Sequence, residues 1–143
     1  MGGNSKMNLI TPETSYISEN HLISRCIYHV IFCPKYRRKV LTEPIQLRLK
    51  ELVYQQQNEY QYSVIEIETM PDHVHLLIQC SANIHIHAVV SNIKGYLSKI
   101  LREEFPELKK RLPCLWTHGK FIASVGTVSL EVVKKYIENQ KGV

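Results

Sequence analysis

The order of strand-like and helix-like segments along this chain predicts an α+β sandwich: one antiparallel four-stranded sheet with two helices on one face and a further helix at the C-terminus. Two observations carry this. The segments follow one another as strand, helix, strand, strand, helix, strand, helix, without the succession of βαβ units that an all-parallel sheet needs. The 143 residues are enough for one domain that buries a core without disulfide support, and too few to favour a second.

The first strand is read over residues 24–33, SRCIYHVIFC, where β-branched and aromatic residues accumulate until Pro34 stops the ladder. A basic turn follows. Over residues 44–59, Ile45, Leu47, Leu49, Leu52 and Val53 sit among Gln, Lys and Glu, which predicts an amphipathic helix opened by Thr42 and Glu43. Two strands come next, at 62–69 and 73–80, joined by a short turn through Met70, Pro71 and Asp72. Val89, Val90, Ile93, Leu97, Ile100 and Leu101 recur at helical spacing and predict a second helix over 84–104, ended by Pro106. After a basic link, LWTHGKFIASVG (115–126) reads as the fourth strand, with Gly126 as a possible hinge, and SLEVVKKYIENQ (129–140) as the closing helix. This order is that of a ferredoxin-like sandwich with an extra C-terminal helix. Residues 1–20 are polar and mixed and are expected to form a flexible arm, leaving 21–143 as the single domain.

Eighteen Lys and Arg against thirteen Asp and Glu give a formal charge of +5, which favours a polyanionic partner without proving one. Cys26, Cys33, Cys80 and Cys114 form no CxxC pair and no regular framework, so reduced thiols in a cytoplasmic protein are expected. No apolar run approaches the roughly 20 residues that span a bilayer, and no motif for an organic cofactor is present.

The chemistry concentrates in two places. In PDHVHLLIQ, His73 and His75 flank one apolar residue on a strand, so both imidazoles project from the same face. In the C-terminal helix, Tyr136 and Gln140 stand four apart and share a face. Two imidazoles and an amide oxygen form an open, weak metal site suited to Mg²⁺ or Mn²⁺ on a phosphodiester, with Tyr136 beside it as nucleophile. Taken singly these residues have plainer explanations, since strand histidines often face solvent and helix tyrosines often pack their rings. His85 and His87 repeat the spacing at a helix start, where residues two apart diverge, and take no metal role; His21, His29 and His118 read as isolated structural or surface residues. Lys35, Tyr36, Arg37 and Arg38 interleave an aromatic with cations, as unpaired nucleic acid requires, and Lys94 on the second helix can extend that surface. A solvated turn accounts for the same run equally well.

With these motifs in view, the chain resembles the single-tyrosine HUH transposases of small bacterial and archaeal insertion sequences, through CPKYRRKVL, PDHVHLL, NIKGYLSKILREEFPEL, LWTHGKFIASVG and VVKKYIENQ in order. The resemblance implies an RNA-recognition-like version of the sandwich, a homodimer, and binding of DNA hairpins at element ends. It implies cleavage and rejoining of single-stranded DNA through a 5′-phosphotyrosine. It places the family's metal-binding histidines on His73 and His75, its nucleophile on Tyr136 and its helix-borne ligand on Gln140. The alternative is a domesticated relative that binds such hairpins without catalysis, or one that acts on dispersed chromosomal repeats. The presence of all four site residues favours the enzyme.

Overall fold

Alternation of side chains along the strands decides which face of the sheet becomes core and which is left for chemistry. The computed structural model describes residues 17–18, 21–22, 25–125 and 135–140. In chain order these form β1 (Ile17–Ser18), β2 (His21–Leu22), β3 (Arg25–Phe32), a tight turn at Lys35–Arg37, α1 (Glu43–Gln55), α2 (Gln57–Tyr60), β4 (Ser63–Met70), β5 (His73–Ser81), α3 (Ile86–Glu104), α4 (Glu107–Arg111) and β6 (Phe121–Ser124). Residues 135–138 are again helical and are called α5. β1 and β2 pair with each other, while the main sheet runs β4-β5-β3-β6 with every pairing antiparallel. This is the expected α+β sandwich.

Val30 and Phe32 of β3 and Val74, Leu76, Ile78 and Cys80 of β5 point to one face and are buried against α1 and α3. Ile45, Leu49, Leu52 and Val53 of α1 meet Val89, Val90, Ile93, Leu97 and Leu101 of α3 over that face. Thr42 is the N-cap of α1 and Pro44 lies in its first turn, where a missing N–H costs nothing, and Glu43 complements the helix dipole. Tyr62 is buried below α1 and donates its hydroxyl to the carbonyl of Val53. Replacing fully buried Leu49 with Ala is expected to destabilise the protein by about 2–5 kcal/mol, read as a lowered urea midpoint.

One irregularity affects the opposite face. Between Val64 and Glu66 the β4–β5 register shifts by a bulge, so Val64 and Ile67, three apart, both pack on the core, and Glu68 lands opposite His75.

The structure departs from the sequence reading at four points, one being the closing helix, which among the described residues is helical over 135–138 and passes into a turn at 139–140. The first predicted helix breaks at Gln56 into α1 and α2. Residues 107–111, read as a basic link, form α4, which Leu108 anchors in the core. The fourth strand covers only Phe121–Ser124, because Leu115 and Trp116 are drawn into the core instead of the ladder. Trp116 packs edge-on against Phe32 with ring centroids 4.7 Å apart, and its indole N–H donates to the Lys94 carbonyl at 3.0 Å. Lys35 N donates to Leu115 O and Thr117 N to Cys33 O, which lays residues 115–117 beside the end of β3. The possible hinge at Gly126 and helix residues 129–134 lie outside the described residues, as does most of the 1–20 arm. Among the described residues no helix is long and apolar enough to cross a membrane.

Candidate active site on the open face of the sheet

The face away from α1 and α3 carries the odd-numbered residues of β3 and β5, so the strand parity that buries Val74 and Leu76 also aligns His73 and His75 there. Ile31 and Cys33 are fully buried although they face away from the main core. Tyr136 lies near them: its ring sits 5.1 Å, centre to centre, from that of Phe121, which pairs with Ile31 in the sheet, and Cys33 is among the groups that influence its hydroxyl. Burial pushes the Cys33 thiol up to about 11, so it is a packing residue with no thiolate character.

Tyr136 and Gln140 converge. A methyl group placed on Gly119 would sit 3.8 Å from the Tyr136 hydroxyl and 3.9 Å from Gln140 Oε1, so both polar atoms look onto the same bare glycine. Both atoms are buried, and among the described residues neither has a hydrogen-bond partner, as is also true of the buried Gln79 Oε1, Arg102 Nε and Thr117 Oγ1. Buried polar atoms are nearly always paired, so two of them near one glycine make this spot a candidate for contacting a ligand. Burial, reinforced by the neighbouring Cys33, raises the Tyr136 pKa above the ordinary phenol value.

The histidines are held by different partners. His73 Nδ1 bonds Asp72 Oδ1 at 2.9 Å, which leaves Nε2 as the nitrogen available to a ligand. Burial acts to raise the Asp72 pKa, but hydrogen bonds from His73 and Arg37 outweigh it and hold the carboxyl below its usual range. His75 Nε2 lies 3.0 Å from His29 Nδ1, with the rings stacked, and His75 Nδ1 lies 3.7 Å from Glu68. Burial first, and His29 second, lower the His75 pKa against the opposing pull of Glu68, which favours the neutral ring.

His73, His75 and the Gln140 amide oxygen are donors of the type that suits a divalent metal with open positions, provided His75 Nε2 gives up its contact with His29. Among the described residues no three or more His, Cys, Asp and Glu converge, which sets this donor set apart from closed structural zinc sites.

Arg37 links the two halves of the site. Its Nε donates to Asp72 Oδ2 at 2.8 Å and its Nη1 to the carbonyl of Ile137, next to Tyr136, at 2.9 Å, with Glu138 3.6 Å from Nη1. Tyr36 and Arg37 adopt positive φ of 60° and 52°, a left-handed conformation that costs an L-residue about 1–2 kcal/mol. In return, the turn aims Arg37 inward while Tyr36 stays 45 % exposed. Lys35 Nζ and the Arg38 guanidinium lie 5.2 and 5.9 Å from the centre of the Tyr36 ring.

A sequence model of IS200-like transposases matches residues 22–140. The chain belongs to that family. The transposase is similar to the ISDra2 transposase TnpA of Deinococcus radiodurans, with 34% identity over 115 residues that span 79% of this chain and 82% of that protein. It is also similar to the IS200 transposase of Salmonella typhimurium, with 26% identity over 122 residues, or 84% of this chain and 80% of that one. Its fold matches a crystal structure of a transposase from Deinococcus radiodurans R1 at a TM-score of 0.80 and 27% identity, covering 89% of this chain and 98% of that one. A REP-associated tyrosine transposase bound to a REP hairpin shares the fold at a TM-score of 0.52 and 12% identity, covering 85% and 69% of the two chains.

Three residues of the transposase acquire roles that sequence reasoning had not given them. His29, read as isolated, is on the open face beside His75 because β3 pairs with β5. Its parity with Ile31 was the available signal, but the register was not. Lys94, grouped with DNA-contacting cations, turns its ammonium inward and donates to the carbonyls of Thr117 at 3.0 Å and Gly119 at 3.1 Å. It thus braces the loop that faces Tyr136, and burial holds its pKa down to about 8. Arg37, from the same predicted surface, is only 12 % exposed and is engaged within the protein.

Proposed function

We propose that this transposase binds DNA hairpins at the ends of its element and cleaves and rejoins single-stranded DNA through a 5′-phosphotyrosine on Tyr136. The observation that carries the reading is the pair of buried, unpartnered atoms, Tyr136 hydroxyl and Gln140 Oε1, which face one glycine on a segment fastened to the His73 side of the site. His73, His75 and Gln140 would hold the divalent metal that the family generally needs, here Mg²⁺ or Mn²⁺. When bound, such an ion supplies Lewis acidity at a non-bridging oxygen of the scissile phosphate.

The rest is done by this chain's own groups. Tyr136 Oη attacks phosphorus; the new Oη–P bond forms as the bond from phosphorus to the 3′ oxygen breaks, and the phenolic proton balances the 3′-hydroxyl released. The phosphodiester energy is kept in the phosphotyrosine, so a second strand's 3′-hydroxyl can reverse the step and join new ends without ATP. Gly119 leaves room beside Tyr136 and Gln140, and Lys94 holds that loop in place. Exposed Tyr36 between Lys35 and Arg38 offers a stacking platform for an unpaired base, with cations for the backbone. The hairpin substrate agrees with that of the REP-associated neighbour, and a homodimer follows from the family resemblance.

The test is a denaturing gel with labelled single-stranded hairpin DNA from the protein's own locus, with Mg²⁺ or Mn²⁺ and with chelator. A metal-dependent covalent adduct is expected; tight hairpin binding with no adduct under any metal would favour the non-catalytic reading. The adduct also has an expected pH profile. Because burial keeps the phenol protonated, the phenolate fraction rises about tenfold per pH unit below its pKa, and single-turnover rates should climb with a slope near one between roughly pH 6 and 9. A flat profile would remove phenol ionisation from the rate-limiting step.

A further inference from the structure

The Arg37–Asp72 pair joins the strand that carries His73 to the segment that carries Tyr136, and neither residue is explained by the chemistry above. Asp72 and Arg37 side chains are 14 % and 12 % exposed, so this is a shielded, directional contact rather than a surface ion pair. Each side chain makes two hydrogen bonds, and Glu138 also lies 3.6 Å from Arg37 Nη1. Asp72 accepts Arg37 Nε on one oxygen and bonds His73 Nδ1 with the other; Arg37 gives Nε to Asp72 and Nη1 to the Ile137 carbonyl. A planar guanidinium can do this, whereas an ammonium, a compact point charge, cannot span the two acceptors in the same way. The turn that delivers Arg37 holds two consecutive non-glycine residues at positive φ, a strain that persists only where surrounding contacts fix it. Pro34 O takes the Arg37 N–H at 2.7 Å, and Leu41 N donates to Pro71 O, so the turn is stitched to the β4–β5 corner beside Asp72.

We propose that Arg37 and Asp72 are positioning residues that form a relay across the site. Asp72 holds His73 with its proton on Nδ1, so that the Nε2 lone pair is free for a metal, and Arg37 locks Asp72 while fastening the Tyr136 segment through Ile137. One contact pair thereby sets both the ligand and the nucleophile. The inference rests on the reading of His73 as a metal ligand.

The two links separate by substitution. In Asp72→Asn the side chain keeps its shape and can still accept from Arg37 with its one oxygen. The amide nitrogen then faces His73 Nδ1, which must become an acceptor, and the imidazole proton moves to Nε2, where it blocks a metal. In Arg37→Met the contacts of Arg37 to Asp72 and to the Ile137 carbonyl are both cut, so Asp72 keeps its bond to His73 but loses the group that locks it in place. Mn²⁺ affinity would be measured by EPR titration without DNA, and backbone exchange of residues 135–140 by hydrogen–deuterium mass spectrometry in chelator, with circular dichroism confirming the fold. Asp72→Asn is expected to weaken Mn²⁺ binding about 10–100-fold and to leave exchange of 135–140 unchanged. Arg37→Met should weaken Mn²⁺ binding and also speed that exchange at least about tenfold, and Arg37→Lys should not restore it. A wild type that does not bind Mn²⁺, or a His73→Ala variant that binds it unchanged, overturns the metal reading and the relay with it. Binding lost in His73→Ala but retained in Asp72→Asn overturns the relay alone, as does unchanged exchange in Arg37→Met.

Discussion

Tyr136→Phe is expected to lose every covalent protein–DNA adduct while still binding hairpin DNA. The substitution keeps the ring against Phe121 and removes only the hydroxyl. Among the described residues that hydroxyl is buried without a hydrogen-bond partner, so its loss should leave stability unchanged or slightly raised, because a desolvated group is relieved. The kinetic effect is of another order. Nothing else within the described site offers a nucleophile of the same reach, since burial keeps Cys33 protonated, and removing a nucleophile from a covalent mechanism typically costs about 10⁴-fold or more. Denaturing gels of labelled single-stranded substrate read the adduct, and a filter or mobility-shift assay in chelator reads binding. Adduct persisting at wild-type yield in Tyr136→Phe would place the covalent bond elsewhere.

The second large effect is expected at His75. His75→Ala should weaken Mn²⁺ binding by more than about 100-fold and reduce adduct formation in parallel, since losing a ligand exceeds the 10–100-fold that outer partners alone are worth. Burial and His29 lower the pKa of this ring, which favours its neutral form. Stability should change little, because the side chain is half-buried on the open face and its loss frees His29 without opening the main core. His85→Ala is the matched comparison. It removes a histidine of the second HxH pair, which sits at the N-cap of α3 outside the site, and both metal affinity and adduct yield should stay at wild-type values. Equal losses in the two variants would assign the effect to general perturbation rather than to a ligand.

Much of this site could be read from local pattern. Period-two alternation in β5 puts His73 and His75 on one face because successive strand side chains oppose each other, and the four-residue spacing of Tyr136 and Gln140 brings them near each other at the C-terminus, although the helix there covers only 135–138 and Gln140 lies in the turn after it. The α3 periodicity, with Pro106 closing it, is likewise a property of residues near one another in the chain. Patterns of this kind depend on backbone geometry alone, so they survive any packing that forms the element. The short β6 was less legible, since the aromatic and β-branched content of 115–124 suits a strand throughout, and only the pull of Trp116 toward Phe32 ends the ladder early.

The basic run at 35–38 shows where such reading stops. Composition marks Lys35, Tyr36, Arg37 and Arg38 as one cationic, aromatic patch, yet the positive φ at two successive residues splits it: Tyr36 faces solvent between two cations, and Arg37 turns inward to Asp72 and Ile137. Lys94 repeats the lesson, with its charge held under the 117–119 loop. His29 meets His75 through the β3–β5 register, 46 residues apart in the chain. The shared face of His73 and His75, the nearness of Tyr136 to Gln140 and the order of the four sheet strands and two long helices were legible in the chain because neighbouring residues impose them. The partners of His73, His75, Arg37 and Lys94 were not, because contacts between distant segments depend on register, bulges and turn strain, and those are settled only when the whole core packs.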